Sequence, residues 1–278
     1  MKNANAHGFR PALETLEDRN LLAAQVLVTA QTLWITGDRY ANFVVINDAG
    51  TGTAGNLTGT VDGVSFNALT AGTAINRVYM LMGRGNDYVL YNLNDDTNAS
   101  NMRVDAFLYE GNDAFVFNAG TNGFFGGSNY FFGIRGEAGN DTLRATMQND
   151  VDFFNVGNTS SIGLRFIGGN GDDSISFQYS GDPDGLVNFY ADGGDGHDTV
   201  GGYFNLFFDE GQVPGRIWAQ VYGGDDENVL GLQISDFDAN TTDNIFALID
   251  GGGEENIAAI TANVRIRNFD RDSQIYFV

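Results

Sequence analysis

Short apolar runs alternate with glycine-rich acidic turns along most of the chain. Segments such as Val78-Tyr79-Met80-Leu81 and Tyr88-Val89-Leu90-Tyr91 are β-branched or aromatic and are bounded by Gly, Asn or Asp. Runs of this kind predict strands of about 4–6 residues. A helix needs apolar positions three to four apart over roughly ten residues or more, and no such stretch lies between the turns.

The strand–turn–strand unit recurs. It reads YMLMGRGNDYVLYN at 79–92, FLYEGNDAFVFN at 107–118, GIRGEAGNDTLRAT at 133–146 and RFIGGNGDDSISFQ at 165–178. It continues as FYADGGDGHDTVGG at 189–202, QVYGGDDENVLGL at 220–232 and ALIDGGGEENIAAI at 247–260, with a looser copy, LWITGDRYANFVVIN, at 33–47. Aligned on the last turn residue, the units superpose Asp87, Asp113, Asp141, Asp173, Asp198, Asn228 and Asn256, at intervals of 26, 28, 32, 25, 30 and 28 residues. A period of 20–50 residues signals a repeat architecture in which one unit cannot bury its inner face alone and stacking buries a continuous core. The expected fold is therefore all-β, a parallel β-helix or β-solenoid of about 7–8 rungs over residues 25–278, with a mean repeat of about 28 residues. At about 4.8 Å per rung it would be about 35–40 Å long.

Uneven intervals place insertions between fixed turns. The Gly/Thr-rich stretch 48–76, with Val61, Val64 and Phe66, predicts a β-hairpin or long insertion between the first two rungs. Asn47, Asn92 and Asn118 end the strand after a turn and predict corner positions, since Asn tolerates left-handed backbone.

Composition narrows the function. Hydrophobic residues make up 42%, enough for a core, and 38 glycines supply turns that need positive φ. Net charge is −22, with 14 basic against 36 acidic residues. That balance repels phosphate backbones and anionic membrane surfaces, which argues against nucleic-acid binding. The acids are mostly Asp, and short carboxylates suit hard cations, Ca²⁺ first. The absence of Cys removes disulfides, thiolate zinc sites and iron–sulfur clusters, and two histidines cannot build a multi-His cage. No apolar run approaches the roughly 18 residues of a membrane helix. Lys2 is followed by polar residues and Pro11 in place of the apolar stretch of an ordinary signal peptide.

Two turns, GGNGDDSIS at 168–176 and GGDGHDTVG at 193–201, match G-G-x-G-x-D-x-U-x, where U is a large aliphatic. GEAGNDTLR at 136–144 and MGRGNDYVL at 82–90 come close. The pattern resembles the nonapeptide of RTX proteins, which bind Ca²⁺ in parallel β-rolls. Glycines allow a tight turn that aims carbonyls inward, the Asp adds a carboxylate, and the aliphatic residue plugs into the core. Stacked turns can then approach the 6–8 oxygens Ca²⁺ prefers. The resemblance implies Ca²⁺ as cofactor, with Asp87, Asp113, Asp141, Asp172, Asp173, Asp195 and Asp198 as candidate carboxylates and Gly139, Gly171 and Gly196 marking the tight backbone. It covers the turns and not the coil, because tandem RTX turns recur about every 18 residues. It also fades where Asn228 and Asn256 replace Asp, so sites are expected to be few and central. The structural alternative is a column of tight corners capped by Asp or Asn, with no ion. Like charges stacked about 5 Å apart favour a divalent cation.

Other acidic runs read as ordinary loops. Asp236 to Asp243 lacks the loop glycine and terminal Glu of an EF-hand, and Asp182-Pro183-Asp184-Gly185 reads as a turn. Residues 9–24, FRPALETLEDRNLLAA, resemble the LEPR-XLL motif near the start of large exported bacterial surface proteins. The matching core is Leu16-Glu17-Asp18-Arg19-Asn20-Leu21-Leu22. The resemblance implies a sorting segment over 1–24 and an extracellular or cell-surface location. The alternative reading of the residues is an amphipathic helix capping the solenoid, with Pro11 in its first turn and Leu13, Leu16 and Leu21 over the rung edges.

No G-x-S-x-G, H-E-x-x-H or P-loop motif is present, and no catalytic residue is singled out. His197 reads as a solvated turn residue. Arg103, Arg135 and Arg165 recur at roughly one-rung intervals, as either an acid-balancing row or a row that binds an acidic glycan. The expected function is a calcium-stabilised, non-enzymatic surface, matrix or adhesion module, with other surface proteins or polysaccharide as partners. The alternative is a polysaccharide lyase or acidic-polysaccharide-binding β-helix.

Overall fold

The computed structural model describes residues 24–53, 56–68, 74–148, 151, 160–183, 185–206, 215–235, 245–252, 255–261, 264–269 and 273–277. All but Ala24 of the expected N-terminal segment, and the acidic run 236–243, lie outside them. The described chain is a β-solenoid with no α-helix. Every rung brings one strand into a corner and takes a second strand away from it. The incoming strands form one sheet and the outgoing strands a second, each with nine parallel strands once the antiparallel end strands are set apart. Six coils averaging about 28 residues separate Asp87 from Asn256, and strand pairs continue beyond both.

Pairing registers are strict. Strand Asn129–Ala138 pairs in parallel with Asn101–Glu110 on one side and Ser161–Asn170 on the other, without a slip across the common residues. On the outgoing sheet Ala114, Thr142, Ser174, Thr199, Val229 and Ile257 stand opposite one another in succession. Register holds because inward and outward residues alternate, and a one-residue slip would expose the whole core face. The inward positions are mostly apolar, with Phe115, Phe117, Phe132, Phe166, Phe177, Phe189 and Phe204 fully buried. Rings stack between rungs and across the two sheets, as in Phe117–Phe132 with centroids 4.3 Å apart and Phe177–Phe189 at 5.1 Å.

An open solenoid end exposes unpaired strand edges. At the N-terminal end both edges are covered. Strand Gln25–Thr29 pairs antiparallel with Thr32–Thr36 on the incoming sheet. Strands Leu57–Val61 and Val64–Asn67 form the hairpin expected within 48–76, and it pairs antiparallel with Phe43–Asp48. The insertion thus lies outside the first outgoing strand as a cap, and not wedged between two rungs.

The same end holds a buried polar cluster. Asp48 is fully buried, and its Oδ2 accepts hydrogen bonds from the hydroxyls of Tyr91 (2.6 Å) and Tyr130 (3.0 Å), while Oδ1 accepts from the backbone of Gly50 (2.9 Å). Burial raises the carboxyl above its ordinary range, and these donors pull it part of the way back. Replacing Tyr91 by Phe removes the shortest of the three bonds without changing shape. Because bonds to buried charged groups contribute about 1.5–3 kcal/mol, Tyr91→Phe is expected to lower the melting temperature by several degrees in differential scanning calorimetry. An unchanged melting temperature would mean that the cluster adds nothing.

Candidate functional site

The corners stack. The residue that closes each turn donates its backbone N–H to the side chain at the same position one rung further on. Asn42 donates to Asp87 Oδ1 (2.7 Å), Asp87 to Asp113 (2.6 Å), Asp113 to Asp141 (2.7 Å), Asp141 to Asp173 (2.7 Å) and Asp173 to Asp198 (2.8 Å). The line continues through Asn228 and Asn256 (2.8 Å each) to Ser273 Oγ (3.0 Å). Nine residues therefore make one continuous ladder, eight of them through a side-chain oxygen. Asn42 and Ser273, at its two ends, were not singled out by the repeat alignment, because their turns have lost the glycine pattern.

Three features of the local sequence build each corner. The turn aspartate is in phase with the aliphatic residue two positions on, and Leu143, Ile175 and Val200 are buried, so the carboxylates at 141, 173 and 198 face inward with them. Gly139, Gly171 and Gly196 have φ of 128°, 131° and 124°. Each also passes directly over the rung before: a Cβ on Gly139 would lie 1.7 Å from the Gly111 carbonyl oxygen. The first glycine of the turn makes room for the carboxylate. A Cβ on Gly136, Gly168 or Gly193 would lie 2.0–2.2 Å from Oδ2 of Asp141, Asp173 or Asp198, and 2.4–2.6 Å from the carbonyl oxygen of Gly168, Gly193 or Gly223 in the next rung.

Those second carboxylate oxygens are the chemical anomaly. Oδ2 of Asp87, Asp113, Asp141, Asp173 and Asp198 are all buried and have no hydrogen-bond partner among the described residues. Desolvation raises the carboxyls to about 7 for Asp87, Asp141 and Asp173 and about 6 for Asp113 and Asp198, against an ordinary 3.8, with the backbone donors opposing the shift. The asparagine rungs show what the position asks for. Asn228 Nδ2 donates to the carbonyls of Asp225 (3.1 Å) and Asp226 (3.0 Å), and Asn256 Nδ2 to that of Gly251. An amide satisfies the turn carbonyls by donating. An ionised carboxylate in its place sets oxygen against oxygen and calls for a proton or a cation between them.

The donor set suits a hard cation: carboxylate and glycine carbonyl oxygens from adjacent rungs, with no sulfur or imidazole. Among the described residues no three acidic or histidine side chains converge on a point, so a cation would rely on backbone carbonyls for much of its shell.

Asp172 and Asp195 lie elsewhere. Both are exposed, on the outer side of the turns. Asp172 belongs to a second ladder, in which the side-chain oxygen accepts from the following rung. It receives the N–H of His197 (3.0 Å), and its own N–H goes back to Asn140 (3.1 Å). Arg103, Arg135 and Arg165 lie on successive incoming strands but at three different positions, since Arg103 stands opposite Phe131, Arg135 opposite Phe107 and Arg165 opposite Gly133. They do not form one row. The outer face of the outgoing sheet carries a shallow trough of about 590 Å³ over Gly201 and Gly231, flanked by Ser176, Gln178, Tyr203 and Gln233. Among the described residues its lining has no Asp, Glu or His.

No protein-family model, curated protein or solved structure matches this chain.

Proposed function

We propose that the chain is a non-enzymatic β-solenoid module of an exported surface or matrix protein, and that Ca²⁺ neutralises its corner column. One observation carries the reading: five buried, unpartnered carboxylate oxygens in a single line, three of them beside a glycine carbonyl of the next rung. The G-G-x-G-x-D-x-U-x match at 168–176 and 193–201 and the LEPR-XLL-like segment support calcium and export respectively.

Asp141, Asp173 and Asp198 with the carbonyls of Gly168, Gly193 and Gly223 would hold the ion. Ca²⁺ supplies positive charge where the turn oxygens face one another, and the rigid stack it favours suits a load-bearing or spacing role.

Isothermal titration calorimetry at neutral pH tests this directly. Wild-type protein is expected to bind Ca²⁺ with a dissociation constant around 10⁻⁴–10⁻³ M, the range of extracellular modules. Asp173→Asn should remove at least one site while keeping its stability in chelator, because the new amide can donate as Asn228 does. Identical titrations for the two proteins would reject calcium at this column. Turnover of a uronate polymer, seen as a rise in ultraviolet absorbance, would reject the non-enzymatic part.

A further inference from the structure

The outer face of the incoming sheet collects positive charge in a strongly negative chain. Seven of the 13 arginines lie on its strands, and all seven alternate outward. Two of them are neutralised. Arg77 and Arg103 both bond the carboxylate of Asp105, at 2.9 Å and 2.8 Å. Burial alone would raise that carboxyl, but the two guanidiniums hold it below its ordinary range. Arg135, Arg165, Arg216 and Arg265 form no ion pair among the described residues, although the chain has 36 acids.

Aromatic rings seat these guanidiniums. Arg135 lies over Phe107 with 5.4 Å from Cζ to the ring centroid, Arg165 over Tyr190 at 5.4 Å, and Arg265 over Phe246 at 5.6 Å. A guanidinium stacked on a ring keeps its edge and its donors turned outward, where they match a carboxylate in bidentate geometry. Further rings continue along the stack: Tyr190 contacts Tyr222 at 5.1 Å and Trp218 contacts Phe246 at 5.6 Å, with Trp218 about half exposed. Between the cations stands an exposed-side acceptor, Asp192, which takes the Tyr190 hydroxyl at 3.1 Å.

We propose that this face binds an acidic polysaccharide, a uronate polymer, whose carboxylates pair with Arg135 and Arg165 and whose sugar faces lie on Tyr190, Tyr222 and Trp218. Three features favour that occupant. The ring-seated arginines have no acidic partner among the described residues, and an anionic chain supplies the complement. Aromatic faces pack against the C–H faces of sugars. Acids among the arginines, such as Asp192, accept hydroxyl hydrogens, as Asp192 does from Tyr190, and a sugar chain offers such hydroxyls at every residue. Strands recur about every 4.8 Å, close to the length of one sugar residue in an extended chain, so successive rungs present successive contacts. The inference does not depend on calcium.

The test is binding of a short uronate oligosaccharide to the full chain, measured by calorimetry at low salt both in chelator and in millimolar Ca²⁺, with circular dichroism confirming the fold in each. The double variant Arg135→Gln/Arg165→Gln should weaken binding at least tenfold and flatten its salt dependence. Both side chains are exposed, so the fold should be kept. Arg144→Gln removes one positive charge from the outer face of the other sheet and should leave affinity within about twofold. A neutral glucan of the same length should not bind. Equal binding of the glucan, equal losses in Arg144→Gln and the double variant, or equally tight binding of oligo-deoxythymidylate would overturn the proposal. Salt-sensitive self-association that the double variant abolishes, without any uronate binding, would assign the face to a second copy of the chain and overturn it too.

Discussion

In excess chelator the melting temperature should fall as pH rises from about 5 to about 8, and millimolar Ca²⁺ should restore it at the upper end and scarcely change it at the lower. The sign follows from the corner carboxyls. Their folded-state values, about 6 and about 7, stand above the unfolded value of 3.8. Between those limits the folded chain binds more protons than the unfolded one, so stability is fully present below about 4 and is lost as pH climbs through 6 and 7. One pKa unit corresponds to about 1.4 kcal/mol, so the column as a whole should lose several kcal/mol, though less than the sum of five separate shifts. Calcium competes with the proton for the same oxygens and therefore acts where they are ionised. Against a dissociation constant of about 10⁻⁴–10⁻³ M, 1 mM Ca²⁺ is about one- to tenfold saturating and stabilises by about 0.4–1.4 kcal/mol per site, or roughly 1–6 °C for a chain of this size. His197, whose imidazole the Glu227 carbonyl raises above its ordinary 6.5, also loses its proton with rising pH, so a corner variant is what assigns the slope across the window of about pH 5 to 8. Scanning calorimetry across that window, with Asp173→Asn as the variant that should flatten the slope, decides the matter. A chelator profile that is flat or rises towards pH 8 would mean that these oxygens are not held away from water.

Much of this corner was readable before any coordinates. The 28-residue period gave one rung because each glycine turn must recur at the same height for strands to pair in register. Parity also carried more than was drawn from it. Asp173 shares its phase with Ile175, Phe177 and Tyr179, all buried, so it had to face inward, whereas Asp172 has the opposite phase and had to face water. Asp195 shares the phase of Val187, Phe189 and Ala191 on its own strand, and only the corner that starts there turns it outward. Asp141, Asp173 and Asp198, the strongest carboxylate candidates by motif, are the inward ones, and Asp172 beside them fails that alternation. Other features left no local trace. Ser273 takes the last place in the ladder from a turn with no glycine, and only the register of Gln274–Phe277 against Ile257–Ile260 identifies it. The burial of Asp48 depends on Tyr91 and Tyr130, which lie 43 and 82 residues away. The arginines recur at rung-like intervals, yet insertions of unequal length shift each to a different strand position, so spacing alone suggested a row that pairing does not make.

A single methyl group at the first glycine of a central turn is expected to be strongly destabilising. In Gly168→Ala the new Cβ would lie 2.1 Å from Asp173 Oδ2 and 2.4 Å from the Gly193 carbonyl oxygen. The carboxylate is tethered by the backbone N–H of Asp141, and the carbonyl belongs to the next rung's backbone, so neither can retreat without disturbing the ladder. Overpacking in a tight interior costs about 1–3 kcal/mol, and a clash with main chain on one side belongs at the upper end, a fall of roughly 6–12 °C in melting temperature. Gly231→Ala is the matched comparison. It sits on the outer face of the outgoing sheet, and the nearest atom to its new Cβ, the Ala259 carbonyl oxygen, is 4.0 Å away. That variant should melt at or slightly above wild type, because Ala restricts the unfolded chain more than Gly does. The pair also separates packing from ion binding: Gly168→Ala should remain destabilised at saturating Ca²⁺, whereas Asp173→Asn should not. If Gly168→Ala and Gly231→Ala melt together, the first glycine of the motif is not there to make room for the carboxylate, and the neighbouring oxygens have no fixed arrangement in which to hold a cation.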